Sequence, residues 1–319
     1  MTGSQDASRA FQQLEHETAR FREGRLQRVT LTFAVGVTDK HLAWLQQFST
    51  ITDLNLDALH GVSNTQLQHL LPSLPSLESL SLYWQPAVTD DTLFLVAAFN
   101  TRLRRLTLSG CQKTTDAGLA TVATACRQLT YLNLTRCTAV SRVTCTAVGT
   151  SCTALRTLLL YANAAVDDAC LAAMAPLQVA AQSSCVSHFF LCFSFETMLL
   201  HPRVPAQHLQ ELDVCGARLV TDAGLQALAA CTSLTKVNLT WLPQVTDAGV
   251  VPLVRACRLQ WLSLHGNTYV TDAVVEALAA HAAGTLEALD VGGCVRVQRR
   301  TPQELVQRLP RLRCFKLHS

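Results

Sequence analysis

Charge is scarce in this sequence. Only 15% of its residues are Asp, Glu, Lys or Arg, against 49% hydrophobic, a balance that excludes intrinsic disorder and leaves ample apolar surface for a core. The net charge is +3, too small to argue for nucleic acid or an anionic membrane surface as partner. Runs of four or more like charges are absent, and the nearest to basic clusters are Arg102, Arg104 and Arg105, then Arg299 and Arg300. Signatures of catalysis and cofactor binding are missing too: no phosphate-loop or dinucleotide glycine motif, no H-E-x-x-H, no G-x-S-x-G. The ten histidines are scattered, none sits with cysteines at zinc-ligand spacing, and C-x-x-C does not occur. The expectation is therefore no enzyme, no cofactor and no metal centre. Met1 to Ala10 is polar and lacks the apolar stretch of a secretory signal. The thirteen cysteines are odd in number and many fall at repeated positions that call for a small buried residue. They read as reduced thiols, and the compartment as cytoplasmic with the nucleus as an alternative.

What is present in abundance is a period. The pattern L-x-x-L-x-L, with aliphatic or Phe substitutes, opens at Leu26, Ile51, Leu77, Leu103, Leu129, Leu155, Leu209, Leu234, Leu259, Leu286 and Leu312. The intervals are 25 to 27 residues, with one exception of 54 between Leu155 and Leu209. Chance does not produce eleven matches at a fixed period. Alternation in x-L-x-L-x marks a short strand with one buried face. A second signal follows about six residues later: Val37-Thr38-Asp39, Val88-Thr89-Asp90, Val220-Thr221-Asp222, Val245-Thr246-Asp247 and Val270-Thr271-Asp272. Thr is placed there to cap a helix, and Asp to complement its positive end. Apolar residues at helical spacing come next, as in Leu225, Leu228 and Ala229. Each unit is strand, turn, helix, and because no unit can bury its own apolar face, the units must stack. Strands then form a parallel sheet on the inside of a horseshoe, with the wider helices outside.

The form C-x-x-L-x-x-L-x-L-x-x-C followed by V-T-D-x-G-L resembles the cysteine-containing class of leucine-rich repeats, ribonuclease-inhibitor-like in fold. Cys126-Arg-Gln-Leu129 through Cys137 fits it, as do Cys152-Thr-Ala-Leu155, Cys231-Thr-Ser-Leu234 and Thr115-Asp-Ala-Gly-Leu119. The resemblance runs from about Leu26 to Ser319. It implies an α/β solenoid, a right-handed horseshoe of about ten to eleven repeats. Such repeats are common in F-box proteins that select substrates for SCF ubiquitin ligases, so the resemblance also implies a role in ubiquitin-dependent protein catabolism. An F-box needs a bundle of its own, whereas residues 1–25 offer a polar segment with one amphipathic helix, Phe11 to Phe21. That suffices to cap the first repeat, and no F-box is recognisable.

Residues 179–207 interrupt the domain spanning 26–319. Removing these 29 residues shortens the interval of 54 to 25 and restores the repeat. A functional loop, a membrane anchor and a retained intron are alternative origins. Against the anchor, the apolar run Phe189 to Phe195 is far short of the ~20 residues a span requires. For the intron, Gln178-Val179 can be encoded as CAG followed by GT, and Gln207 as CAG.

Side chains alternating with the strand leucines face the concave surface. Small polar residues dominate there, and the larger ones stand out as candidate partner-binding residues: Tyr83, Arg105, Tyr131, Asn133, Tyr161, Lys236, Trp261 and His265. Trp84 and Trp241 lie one position past their strands, as further aromatics of a shared patch or as residues buried in the turn. Tyr and Trp are enriched among residues that carry interface energy. The sequence thus reads as a protein-interaction module, monomeric outside any larger complex, with no nucleic acid and no membrane as partner. Its leading role is substrate recognition or scaffolding near ubiquitin-ligase receptors, and the alternative is a structural subunit of a cytoskeletal or signalling assembly.

Overall fold

The computed structural model describes residues 26–175, 208–298 and 301–316. The expected capping helix at Phe11 to Phe21 and the interruption at 179–207 lie outside the described residues. Eleven strands form one open parallel sheet in strict sequence order. They are β1 Arg28–Thr30, β2 Asp53–Asn55, β3 Ser79–Ser81, β4 Arg105–Thr107, β5 Tyr131–Asn133 and β6 Thr157–Leu159, then β7 Glu211–Asp213, β8 Lys236–Asn238, β9 Trp261–Ser263, β10 Ala288–Asp290 and β11 Cys314–Lys316. Between them run α1 Asp39–Leu45, α2 Asn64–Leu70, α3 Asp90–Phe99, α4 Asp116–Ala125 and α5 Arg142–Ser151, followed by α6 Asp168–Met174, α7 Asp222–Leu228, α8 Asp247–Ala256, α9 Asp272–His281 and α10 Pro302–Arg308. The sheet lines the concave face and the helices the convex face, as the period requires.

Register is set by leucine. The central residue of each strand pairs with its equivalent in the next: Leu54 with Leu80, Leu80 with Leu106, Leu132 with Leu158, Leu212 with Val237. These residues are at most 3% exposed, and the flanking columns such as Leu77, Leu103 and Leu129, or Leu82, Leu108 and Leu134, are equally buried. Slipping by one residue would turn every such leucine towards solvent, which fixes the pairing. Because β6 pairs directly with β7, Thr157 opposite Glu211, the array is continuous across the interrupted interval.

The T-D-x-G-L signature has a purpose that the capping argument captures only in part. Thr115, Ser141, Thr221, Thr246 and Thr271 do cap, each accepting from a backbone N–H in the first turn of its own helix. The following Asp reaches forward to the next repeat. Asp222 accepts from the backbone N–H and hydroxyl of Thr246 at 2.8 and 2.6 Å, and Asp168 does the same for Thr221 at 2.7 and 2.6 Å. Equivalent clasps join Asp39 to Ser63, Asp90 to Thr115, Asp116 to Ser141 and Asp247 to Thr271. The glycine of the signature leaves room for that carboxylate. A Cβ on Gly224 would lie 2.4 Å from Asp168 Oδ1, and one on Gly249 would lie 2.6 Å from Asp222 Oδ1. Where Thr144 replaces this glycine, its hydroxyl donates to Asp116 instead. Burial alone would raise the Asp116 carboxyl, but hydrogen bonds from Ser141 and Thr144 outweigh it and hold the group below its ordinary value.

Cysteine supplies a second inter-repeat contact. Cys111, Cys137 and Cys294, three residues past the leucine-column residues Leu108, Leu134 and Val291, donate Sγ–H to the carbonyls of Leu82, Leu108 and Leu264 at 3.1, 3.1 and 3.0 Å. At the same position Asn163 and Asn267 use their amides on Leu134 and Leu239, both at 2.9 Å. Ten of the described cysteines are buried, and burial pushes Cys111, Cys126, Cys137 and Cys152 up to about 12. These thiols are packing and hydrogen-bonding groups.

Candidate partner-binding surface

The strand register places the eight candidate residues in rows. Arg105, Tyr131, Lys236 and Trp261 stand in the first concave row, and Asn133 in the second. Tyr83, Tyr161 and His265 occupy the third, where the ladder continues beyond the strands through Ala58 N–H to Tyr83 O and Arg136 N–H to Tyr161 O. Arg105, Lys236, Tyr83 and Tyr161 are exposed, while Tyr131, Asn133, Trp261 and His265 are half-buried. Tyr131 and Trp261 share a row but are separated by four strand steps, roughly 19 Å at sheet spacing. The aromatics therefore form two groups, one around β5 and one around β9.

Some small residues expected to face a partner are covered. Ser109 and Ser263 are 3% exposed and Cys215 7%. Ser263 Oγ lies 2.7 Å from Thr240 Oγ1 of the neighbouring repeat.

The first group gathers around two arginines. Arg105 and Tyr131 are cross-strand partners, and the Arg105 guanidinium lies 4.3 Å from the Tyr131 ring centre. Arg136 lies between Trp84 and Tyr161, 5.8 Å from each ring centre, within range of a cation–π contact. Tyr83 completes the group, 6.1 Å from Trp84 and 6.5 Å from Phe33. At the other end a hollow of about 240 Å³ opens over β7 to β9, lined by Glu211, Asp213, Lys236, Asn238 and Trp261. Burial there raises the Asp213 carboxyl, even though it accepts from the Cys215 N–H at 2.9 Å. Trp241 and His265, just past β8 and β9, have ring centres 6.5 Å apart.

The turn just past the strands contributes residues that the alternation rule misses. Two positions after the last strand leucine the backbone is left-handed in successive repeats. Glycine takes it at Gly110 and Gly266, but Phe33, Trp84, Arg136 and Trp241 hold it with φ of 53°, 52°, 57° and 57°. A side chain in this region costs roughly 1–2 kcal/mol, and bulky residues there are uncommon. Trp84 and Trp241 are 40% and 59% exposed, so they are not buried in the turn. Each lies over the glycine of the next repeat: a Cβ on Gly110 would meet Trp84 Cε3 at 2.3 Å, and one on Gly266 would meet Trp241 Cδ1 at 2.4 Å. The signal legible in the sequence was a large residue in a glycine column.

Among the described residues no group of three or more His, Cys, Asp or Glu side chains is placed to hold a metal ion. No helix among them is long and apolar enough to cross a membrane.

Comparison with known proteins agrees with this architecture. A family model described as Leucine Rich repeat matches residues 206–229. A chain from the crystal structure of the Rad7 and Elc1 complex in yeast is 16% identical, with a TM-score of 0.59, covering 91% of this chain and 74% of that one. An internalin, InlF, from Listeria monocytogenes is 15% identical with a TM-score of 0.55, covering 92% of this chain and 82% of its own. The internalin C2 of the same bacterium gives 16% and 0.50, with coverage of 88% and 92%. Identities this low speak for the fold, and with the matched repeat they support a leucine-rich-repeat family. The chain is a leucine-rich-repeat solenoid.

Proposed function

We propose that this chain is a protein-interaction module that holds a protein partner against the concave face of its sheet. The supporting observation is the composition of that face: exposed aromatic and charged side chains at Tyr83, Arg105, Tyr161 and Lys236 on a rigid parallel sheet. Half-buried Tyr131, Asn133, Trp261 and His265 lie among them and complete the candidate surface. Rigid aromatics lose little entropy on binding and are frequent interface anchors. Leucine-rich-repeat solenoids serve mostly as non-enzymatic binding scaffolds.

The finer reading is a substrate-recognition or scaffold component related to SCF ubiquitin-ligase receptors, working in the cytoplasm or nucleus. Two observations favour it: the cysteine-bearing repeat pattern, and the likeness to a chain crystallised as part of the Rad7 and Elc1 complex. Affinity capture from native cells with the intact chain, followed by mass spectrometry, tests this reading. Recovery of a cullin and its adaptor is expected, and a stable cytoskeletal assembly without them would replace the ligase reading by that of a structural subunit.

A further inference from the structure

The concave face is divided by charge. The repeat segments Leu103–Gly110, Leu129–Arg136 and Leu155–Ala162, which carry β4 to β6 and their turns, contain four arginines and no Asp or Glu. Carboxylates stand on either side, at Asp53 and Asp57 before this zone and at Glu211 and Asp213 after it. Arg104 is paired with Glu78 at 3.6 Å. Arg105 and Arg136 are different: both are exposed, and among the described residues no carboxylate lies within salt-bridge range of either. Their partners are aromatic faces, Tyr131 for the one and Trp84 with Tyr161 for the other. A guanidinium resting on a ring is held in place while its edge N–H donors stay available, the arrangement that accepts a carboxylate in bidentate fashion.

The turn at Arg136 strengthens the case. Arg136 and Trp84 both occupy the left-handed position that glycine fills at Gly110 between them. The absence of a side chain at Gly110 leaves room for the Trp84 ring, which comes within 5.8 Å of the Arg136 guanidinium two repeats on.

Resting on the module reading above, we propose that β4 to β6 form a docking site for an acidic segment of a partner protein, with its carboxylates taken by Arg105 and Arg136. The two positions are separated by about one strand spacing across the sheet and roughly 15 Å along it, so the segment lies lengthwise along the strands in an extended form. The carboxylates of the β2 and β7 repeats lie to either side of that axis, so they confine the occupant in width, and a broad polyanion such as a nucleic-acid duplex would meet Glu211 and Asp213, or Asp53 and Asp57, and be repelled.

The test uses the intact chain and a fluorescent peptide of glutamates interspersed with leucine and serine, read by anisotropy. Two relatives of the peptide accompany it, one with Gln in place of Glu and one with phosphoserines in the Gln background. The glutamate peptide is expected to bind, to weaken as salt is raised, and to weaken about tenfold or more with Arg105→Gln plus Arg136→Gln. Arg255→Gln on the exposed side of α8 should leave binding unchanged, and a circular-dichroism melt should show all variants folded. Equal binding of the Gln peptide, binding of the phosphoserine peptide alone, displacement by a single-stranded oligonucleotide at equal concentration, or no effect of the double substitution would each overturn the proposal. If the native partner still requires Tyr131 and Trp261 while the glutamate peptide fails, the acidic-segment proposal falls and the module reading stands.

Discussion

At the scale of single residues, three letters of the repeat signature act across repeat boundaries. Threonine caps its own helix, aspartate clasps the cap of the next repeat, and glycine admits the aspartate of the previous one. Gly224→Ala should therefore cost about 1–3 kcal/mol, since the new methyl group would press on Asp168. Urea titration checks this, and a ΔΔG near zero would mean that the clasp yields freely. Asp116 adds a pH signature. Its carboxyl is held below the ordinary value in the folded state, so its stabilisation is complete above the unfolded pKa and is lost as pH falls through the folded one. The wild type should lose more stability than Asp116→Asn on acidification below about pH 4, in melts recorded across that range. Thiol chemistry follows burial. Of the described cysteines, exposed Cys314 should react with iodoacetamide in the native state while the ten buried ones resist until urea is added.

At the scale of elements, the joint between α5 and α6 lacks its clasp. Arg142 opens α5 where neighbouring helices open with Asp, and the next cap is Asp167, which accepts from its own Cys170 N–H at 2.9 Å. Arg142→Asp alone would set two carboxylates facing, whereas Arg142→Asp with Asp167→Thr rebuilds the clasp seen at Asp222 and Thr246. The double variant should gain about 1–2 kcal/mol by urea titration and the single variant should not. A double variant no more stable than the single one would show that the clasps hold little energy. These element-level features explain how far the sequence could be read. Strand and helix positions were legible because leucine periodicity and Thr-Asp caps are local signals. The forward reach of Asp222, the seat of Trp84 on Gly110 and the pairing of Arg105 with Tyr131 join residues one repeat apart in the sequence. A pattern read within a single repeat contains only one partner of each such pair. Tyr83 and Tyr161, which the alternation sets on the concave face, are exposed, but the alternation could not foresee the burial of Ser109 and Ser263, nor Arg136 joining the group from the turn.

At the scale of the whole molecule, a solenoid is stabilised by nearest-neighbour interfaces, and the stack must be continuous. It is continuous across the longest interval: β6 pairs with β7, Asp168 clasps Thr221, and Cys231 donates to the Met174 carbonyl at 3.6 Å. The same continuity sets the concave face as one surface, with the arginine–aromatic group at β4 to β6 and the hollow at β7 to β9 presented side by side. The proposal above assigns the partner to this face and not to the helical side. The most direct test is quantitative capture of the native partner by the intact chain, by Tyr131→Ala with Trp261→Ala, and by Arg255→Gln on the helical side, all verified as folded. The concave double variant is expected to lose at least about tenfold in capture, while the helical-side variant matches the wild type. Undiminished capture by the concave variant, or loss confined to the helical side, would contradict the proposal.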